Sequence, residues 1–513
     1  MSEKVLAKVD YIKPLQDKPY AEVIAGREQY HGEVLQKLAE IVGRDGVTDA
    51  PDELEQYSRA AGIELGCRPS FVVRPKNIEE VIKIVKFANG ALLPVIPASS
   101  GTHMYGCALP RMGGLVVDLS GWKKILKIDR RNRAVRVEPG VTYGELECAL
   151  EAEGLRALFP LLPRKDQSVL TSHLEAQPKL IPEFNFSEPI YTAEIVMPEG
   201  NVFRTGTGAL APAELTQTDL IGPWGPGFDW NRLYTRSQGT LGIATWLNIM
   251  AEPLPAKEKI FFTAFKNPDE FARFTYLIQK KWIGYECFGL NRTTLATILA
   301  CKMPDDFIAL KNKLPEYIQL FRIGGLKRFP DERLAYQEAD FLEAARDCGV
   351  SPQATIAAAP QAAAFFEKNL RRCWEGDVYW KDAYKGASAD IFFITTMNKA
   401  SAFISAMQEE AAGSHYSADD VGVYLQPIEN GRAVHLEFMI PYNPKDAAEC
   451  ARVRKLHISA SERMYSLGAV FTRAYGAWAE MVNGRNGIQF QTAKLIKETL
   501  DPNNIMNPGK LGF

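Results

Sequence analysis

The chain lacks paired cysteines, paired histidines, a basic excess and any long apolar run, and each absence excludes a class of protein. Its eight cysteines, Cys67, Cys107, Cys148, Cys287, Cys301, Cys348, Cys373 and Cys450, are scattered with no C-x-x-C pair. Zinc ribbons, iron–sulfur ligation and a disulfide scaffold are thereby disfavoured. The six histidines show no H-x-x-x-H spacing, so a protein-bound metal has no support. A formal net charge of −2 over 513 residues leaves no basic field for nucleic acid or an anionic membrane. The opening "MSEKVLAKVDYIKPL" has no apolar h-region, and no uncharged stretch is long enough to cross a bilayer. A soluble, cytoplasmic protein with reduced thiols and a small-molecule substrate is expected.

What is present is an ordinary globular composition, 46% hydrophobic and 24% charged, with length enough for two domains. The part up to about Asp52 reads as helix and turn. "FVVRP" (71–75) reads as a strand. "NIEEVIKIVKFANG" (77–90) reads as an amphipathic helix with Val81, Ile84, Val85 and Ala88 on one face and Gly90 as its stop. Strands follow at "LLPVIPAS" and "GGLVVDLSGW", then strands and one helix in "RAVRVEPGVTYGELECAL". "EIVMPEGNVFRTGTG" reads as a hairpin around Glu199-Gly200, and "SQGTLGIATWLNIMAEPLP" as a Gly-rich turn before a buried strand. The Pro-rich "EPLPAKEK" marks a domain boundary. After it come strand, helix, strand and long helices, with "ATIAAAPQAAAFFEKNL" suited to a closely packed helix.

"VIPASSGTHMYGCALP" (95–110) places Ser99, Ser100, Gly101 and Thr102 after a strand. Clustered amides in such a turn can form an anion nest, with hydroxyls as uncharged donors; an ordinary surface turn has the same composition. "GTGALA" (206–211) matches G-x-G-x-x-A but is followed by Pro212 and a Trp/Pro/Gly-rich segment where a Rossmann fingerprint needs a helix, so it is set aside.

The order "PVIPASSGTHMYG", "GGLVVDLSGWKKILKIDRRNRAVRVEPGVTYGEL", "EIVMPEGNVFRTGTG", "GPWGPGFDWNRLYTRSQGTLGIAT" and "DPNNIMNPGK" resembles the FAD-linked oxidoreductases of the vanillyl-alcohol oxidase / p-cresol methylhydroxylase family. Its "GPGFDWNRLYTRSQGTLGIAT" looks closer to the vanillyl-alcohol oxidase branch than to the D-lactate dehydrogenase branch. The resemblance implies an α+β fold: a PCMH-type FAD-binding domain of two α+β subdomains (1–255 and 472–513) with an inserted antiparallel-sheet cap (256–471). It implies FAD contacts from Ser99, Ser100, Gly101, Thr102, His103, Ser168 and Val169 and, through the backbone of a turn, from Gly239, Gly242, Ile243 and Thr245. It also implies a homodimer and an electron acceptor that is oxygen, a cytochrome or an electron-transfer flavoprotein. FAD bound covalently through His435 or His103 is a further implication.

The chain departs from the family within "SVLTSHLEAQPKLIPEFNFSEPIYTA" (168–193), where Thr171, Gln177, Lys179 and Phe184 replace small residues. Asn185 stands where the relative has a catalytic Asp, and an Asn cannot act as a base. Glu183, Tyr475 and His435 are therefore the expected acid/base and orienting groups. "RAYGAWAEMV" supplies Tyr475 and Trp478, with no arginine at the matching phenolate-binding place, which weakens a para-alkylphenol substrate. Asn185, Tyr424, Gln426 and Trp478 are expected to face substrate, with Phe184 and Phe186 as further apolar wall.

In the cap, "GVYLQPIENGRAVHLEFMIPYNP" reads as a hairpin with a two-residue Asn430-Gly431 turn. That register sets Gln426 opposite His435 and Tyr424 opposite Glu437 on one face, with Val423, Leu425, Leu436 and Phe438 on the other. The polar face either roofs the cofactor or meets solvent. Three functions remain open: an FAD-dependent oxidase or dehydrogenase acting on an alcohol, hydroxy acid or benzylic C–H; a subunit that passes electrons to a protein acceptor; and a non-catalytic flavin-binding relative.

Overall fold

The computed structural model describes residues 31–59, 66–100, 104–181, 189–209, 220, 222–225, 227–485 and 487–513. Helix α1 (His31–Val42) leads into four short strands: β1 (Val47–Thr48), β2 (Phe71–Val73), β3 (Val95–Ala98) and β4 (Leu115–Asp118). Their order is β1-β2-β4-β3, with β2, β4 and β3 parallel and β1 antiparallel at the edge. Parallel strands buried on both faces read as unbroken apolar runs, as "LVV" and "FVV" do. Leu115 and Val117 face helix α2 (Ile78–Gly90), whose buried face is Val81, Ile84, Val85 and Ala88, as its periodicity predicts. Val116 points the other way, toward a cluster shared with the largest sheet. Asn77 caps α2 by accepting from Glu80 N. The C-terminal tail hydrogen-bonds to β3 through Val95 N to Ile505 O and Asn507 N to Val95 O.

A second sheet is antiparallel. Its strands are β5 (Ile125–Asp129), β6 (Ala134–Val137), then, beyond the short β7 (Leu155–Arg156), β8 (Ile190–Val196), β9 (Val202–Arg204) and β10 (Ile243–Met250), in the order β5-β6-β10-β8-β9. Strands β8 and β9 form the expected hairpin around Glu199-Gly200. Helix α3 (Tyr143–Ala152) follows β6 with a Thr142/Glu145 capping box, and the single-turn-and-a-half helix α4 (Val169–Leu174) packs beside it. Residues 206–209 form a 3₁₀ turn, not the α-helix a Rossmann motif requires. Strand β11 (Glu252–Pro253) pairs with β7.

The third sheet is six-stranded and wholly antiparallel. It contains β12 (Lys257–Phe265), β13 (Glu286–Asn291), β14 (Tyr317–Gly325), β15 (Ala387–Thr395), β16 (Gly422–Ile428) and β17 (Ala433–Tyr442), in the order β12-β14-β13-β16-β17-β15. The hairpin register is as expected, Tyr424 opposite Glu437 and Gln426 opposite His435. The strands end at Ile428 and Ala433, so the connection is four residues rather than two, with Glu429, Asn430 and Gly431 all at positive φ. Val423, Leu425, Leu436 and Phe438 join the helix-side core. The alanine-rich stretch is helical only over Ala362–Asn369; Pro360 cannot sit inside a helix, and the alanines before it lie in turns. Among the described residues no helix is long and apolar enough to cross a membrane.

Candidate active site

Two cavities adjoin where the three sheets meet. The first, about 80 Å³, begins at the end of β3. Its walls carry the hydroxyls of Ser99, Ser100, Thr171 and Ser237 and the apolar groups of Leu119, Pro139, Leu170, Leu174, Ile195 and Ala244. The Ser99 and Thr171 hydroxyls are hydrogen-bonded to each other. Gly239 and Gly242, in the turn before β10, also line it, at φ +72° and +152°. A Cβ at Gly239 would fall 2.5 Å from Pro97 Cγ, so this turn needs glycine to approach the β3 loop. Asn507 Nδ2 locks the junction by donating to Cys107 O at 2.9 Å and Gln238 O at 2.6 Å.

Helical spacing decides which part of 168–175 faces this cleft. Ser168 is the N-cap of α4: its Oγ accepts from Thr171 N and donates to Pro139 O. Val169 is fully buried against α3. Leu170, Thr171 and Leu174 lie on the cleft side instead. The same displacement holds on β10. Ile243 packs with Val196 and Met506, and Thr245 Oγ1 donates to Glu194 Oε1 at 2.8 Å, so Ala244 is the residue lining the cleft. The side chains of Ser168, Val169, Ile243 and Thr245 thus stand one layer behind it. Gly101, Thr102 and His103 lie outside the described residues.

The second cavity, about 110 Å³, lies between the polar face of the third sheet and the Arg473–Trp478 segment. Alternation on β15 and β17 brings Asp390, His435 and Glu437 to one face, with Tyr424 from β16. All four line the cavity. The polar hairpin face is interior: Tyr424, Gln426, His435 and Glu437 are each at most 6% exposed. Gln426 does not reach the cavity; it sits behind Tyr424, accepting from its hydroxyl at 3.1 Å and donating to Pro427 O. Tyr475 and Trp478 close the opposite wall, and Trp478 Nε1 is held by Ser461 Oγ at 2.9 Å. Glu183, Asn185, Phe184 and Phe186 lie outside the described residues.

Electrostatics of the cavity centre on Lys381. Its ammonium bridges Glu437 and Asp390 (2.7 Å to Asp390 Oδ2), and Ser388 Oγ donates to the other Asp390 oxygen. Burial opposes the charge on Lys381, but Asp390 and Glu437 outweigh it and its pKa stands well above the ordinary value. Burial likewise opposes ionisation of Glu437, yet Lys381 and His435 hold it below the usual carboxylate range. For Asp390 burial wins and the pKa is raised, Lys381 offsetting only part. Burial lowers the His435 pKa, its contact with Glu437 offsetting only part, and its Nε2 lies 3.1 Å from Glu437 Oε2. His457, stacked on Trp478, is lowered to about 4 by burial.

Three groups here were not singled out from sequence. Arg473, 4% exposed, lies with its guanidinium 3.9 Å from the Phe392 ring centroid, and that guanidinium makes no hydrogen bond or ion pair among the described residues. It is the arginine that opens "RAYGAWAEMV", two residues before Tyr475. Lys381 comes from a 3₁₀ turn whose sequence shows no motif. Glu175, at the end of α4, lines the first cavity and accepts a 2.5 Å hydrogen bond from the Tyr475 hydroxyl. Burial raises its pKa, against the hydrogen bond from Tyr475 and the charges of Arg473, Arg236 and Lys510.

Comparison with known proteins places this arrangement. Residues 69–170 match the FAD binding domain and residues 432–511 the FAD linked oxidases, C-terminal domain. The chain is 24% identical over 494 residues to the glycolate oxidase subunit GlcD of Bacillus subtilis (strain 168), covering 93% of this chain and 96% of that one. It is 24% identical over 457 residues to the mitochondrial D-lactate dehydrogenase [cytochrome] of Arabidopsis thaliana, covering 86% and 73%. Crystalline p-cresol methylhydroxylase with substrate bound superposes with a TM-score of 0.80 at 18% identity, over 94% of this chain and 96% of the other. The fold is thus the α+β fold of p-cresol methylhydroxylase.

Proposed function

From a chain that belongs to the FAD-linked oxidoreductases, we propose an enzyme that oxidises a small alcohol or hydroxy acid bearing an anionic group. The observation that carries this reading is Arg473. A buried guanidinium without a partner carboxylate among the described residues is costly to maintain and marks a place kept for an anion. The two relatives named above for glycolate and D-lactate act, by their names, on such hydroxy acids.

The first cavity fits FAD. Uncharged hydroxyl donors at the end of β3 suit a pyrophosphate, and the apolar walls suit a ring system. Ser99, Ser100, Thr171 and the Gly239 turn would hold it, together with Gly101, Thr102 and His103. Bound FAD supplies a two-electron acceptor for hydride. The chain's own residues do the rest. Arg473 orients the substrate anion. Tyr105, Tyr379 and Trp478 give the cavity apolar walls that exclude water. Tyr475 and His435 take or hold the hydroxyl proton. Ionised Glu437 fixes the His435 tautomer by accepting from Nε2–H, leaving the lone pair on Nδ1. In this reading residues 256–471 form the cap. FAD bonded to His435 or His103 is its finer form, read by acid precipitation and peptide mapping.

The test is anaerobic bleaching of the FAD-loaded enzyme with a panel of hydroxy acids, neutral alcohols and para-alkylphenols. Arg473→Met should lower kcat/KM for the anionic substrate by about 10²-fold, the loss expected for a charged hydrogen-bonding partner worth roughly 1.5–3 kcal/mol. It should leave a neutral analogue near its wild-type value. Equal losses for both, or no bleaching by any compound, would sink the proposal. Reoxidation rates with oxygen and with a one-electron dye then identify the kind of acceptor.

A further inference from the structure

The hydrogen bond from Tyr475 to Glu175 joins two residues that open onto different cavities. Tyr475 is 3% exposed and lines the substrate-side cavity, while Glu175 is 4% exposed and lines the cofactor-side cleft. Their 2.5 Å contact forms the partition between the two spaces. Both ends are fixed. The Tyr475 ring stacks on Tyr105 at 5.7 Å, and the preceding carbonyl, Ala474 O, accepts from Gln238 Nε2. Glu175 caps the end of α4 through its backbone. Its carboxyl has no ion pair among the described residues, and Tyr475 is the one hydrogen-bond partner described for it.

A buried carboxyl whose one hydrogen bond among the described residues comes from a phenol, beside a cavity lined by Arg473, is placed to accept a proton. We propose that Glu175 is the proton acceptor behind Tyr475, so that the phenol relays the substrate's hydroxyl proton across the partition. The inference rests on the oxidation proposed above. As the substrate O–H proton moves to Tyr475 Oη, the phenol's own proton moves to Glu175 Oε2. With FAD bound, the substrate C–H hydrogen would leave with its electron pair to that acceptor, and a carbonyl product would remain. Tyr475 is the group that meets substrate; Glu175 is a positioning residue that acts through it. The relay runs only while Glu175 is ionised. The groups that face it are Tyr475, Arg473, Arg236, Lys510 and the Cys107 thiol. Burial outweighs the cations, so the acid limb of activity should lie above the ordinary carboxylate range.

Glu175→Gln in the FAD-loaded enzyme should lower kcat by about 10²-fold or more with KM little changed, and should abolish the acid limb of the pH profile. Tyr475→Phe should do the same, and the double variant should be no worse than either alone, because the two act as one unit. Glu175→Asp should restore an acid limb. A second measurement reads the pair without turnover. With 3-fluorotyrosine at position 475, the ¹⁹F resonance should shift as Glu175 titrates, and the step should vanish in Glu175→Gln. Wild-type kcat and pH dependence in Glu175→Gln, or a fluorine step that survives that substitution, would overturn the proposal. If no substrate reduces the wild-type flavin, the oxidation reading fails on its own. The fluorine step then decides the pair: present, it supports the coupling; absent, it removes it.

Discussion

The two cavities that meet at Tyr475 and Glu175 are built by opposite means. The cleft proposed for the cofactor is made of backbone turns, hydroxyls and aliphatic walls, with Glu175 as the one carboxyl among its described lining residues. The substrate-side cavity is crowded with charge: Lys381, Asp390, Glu437, Arg164, Asp382 and Arg473 all line it. All but one of these groups have an ion-pair partner within the cavity wall, Lys381 with both Asp390 and Glu437 and Arg164 with Asp382 at 2.6 Å. Among the described residues the Arg473 guanidinium has none. A guanidinium that no neighbouring carboxylate engages is where an incoming anion can pair. The cleft offers neutral donors in fixed positions, which suits a cofactor already carrying its own charge.

The comparison predicts different failures on the two sides. The largest effect should come from Lys381→Met, which leaves Asp390 and Glu437 buried without their cation. Losing one partner of a buried pair costs about 3–5 kcal/mol, measurable by denaturant unfolding at neutral pH. The deficit should shrink as pH falls and Asp390, whose pKa is raised, takes up a proton. An unchanged unfolding free energy would show that the cluster does not support the cavity. On the other side, Gly239→Ala forces a Cβ against Pro97 at φ +72°, a strain of about 1–3 kcal/mol, and should appear as FAD released on gel filtration. Retention of FAD at wild-type affinity would show that the turn is not needed at the cleft. Smallest should be Thr171→Val, which removes the Ser99 partner and weakens FAD binding by about 1 kcal/mol, or roughly fivefold, in a fluorescence titration. A larger loss there than for Gly239→Ala would reverse the picture of a cleft shaped mainly by its backbone.

Much of this architecture was legible from local pattern. The helix at 78–90, the hairpin at 190–204 and the register of Tyr424, Gln426, His435 and Glu437 follow from periods of 3.6 and 2 that each segment carries by itself. Rotation about the chain was not legible: the side chains of Ser168, Val169, Ile243 and Thr245 turn away from the cleft while Leu170, Thr171 and Ala244 line it, because motif matching fixes position along the chain and not rotation about it. Gln426 shares the right face and is still screened by Tyr424, since a face has depth.

The sequence by itself determined which segments become strands and helices, which hairpin residues share a face, and that the strand ending at Ala98 leads into a hydroxyl-rich turn. Periodicity and turn chemistry are local, so they survive without knowledge of the rest. Only the tertiary structure decided which charges meet. Lys381 and Glu437 are 56 residues apart and Tyr475 and Glu175 are 300 apart, and no local pattern links them. Whether Arg473 would be one more surface cation or a buried one with no ion pair among the described residues was set by packing, which removes water and so makes every remaining partner count.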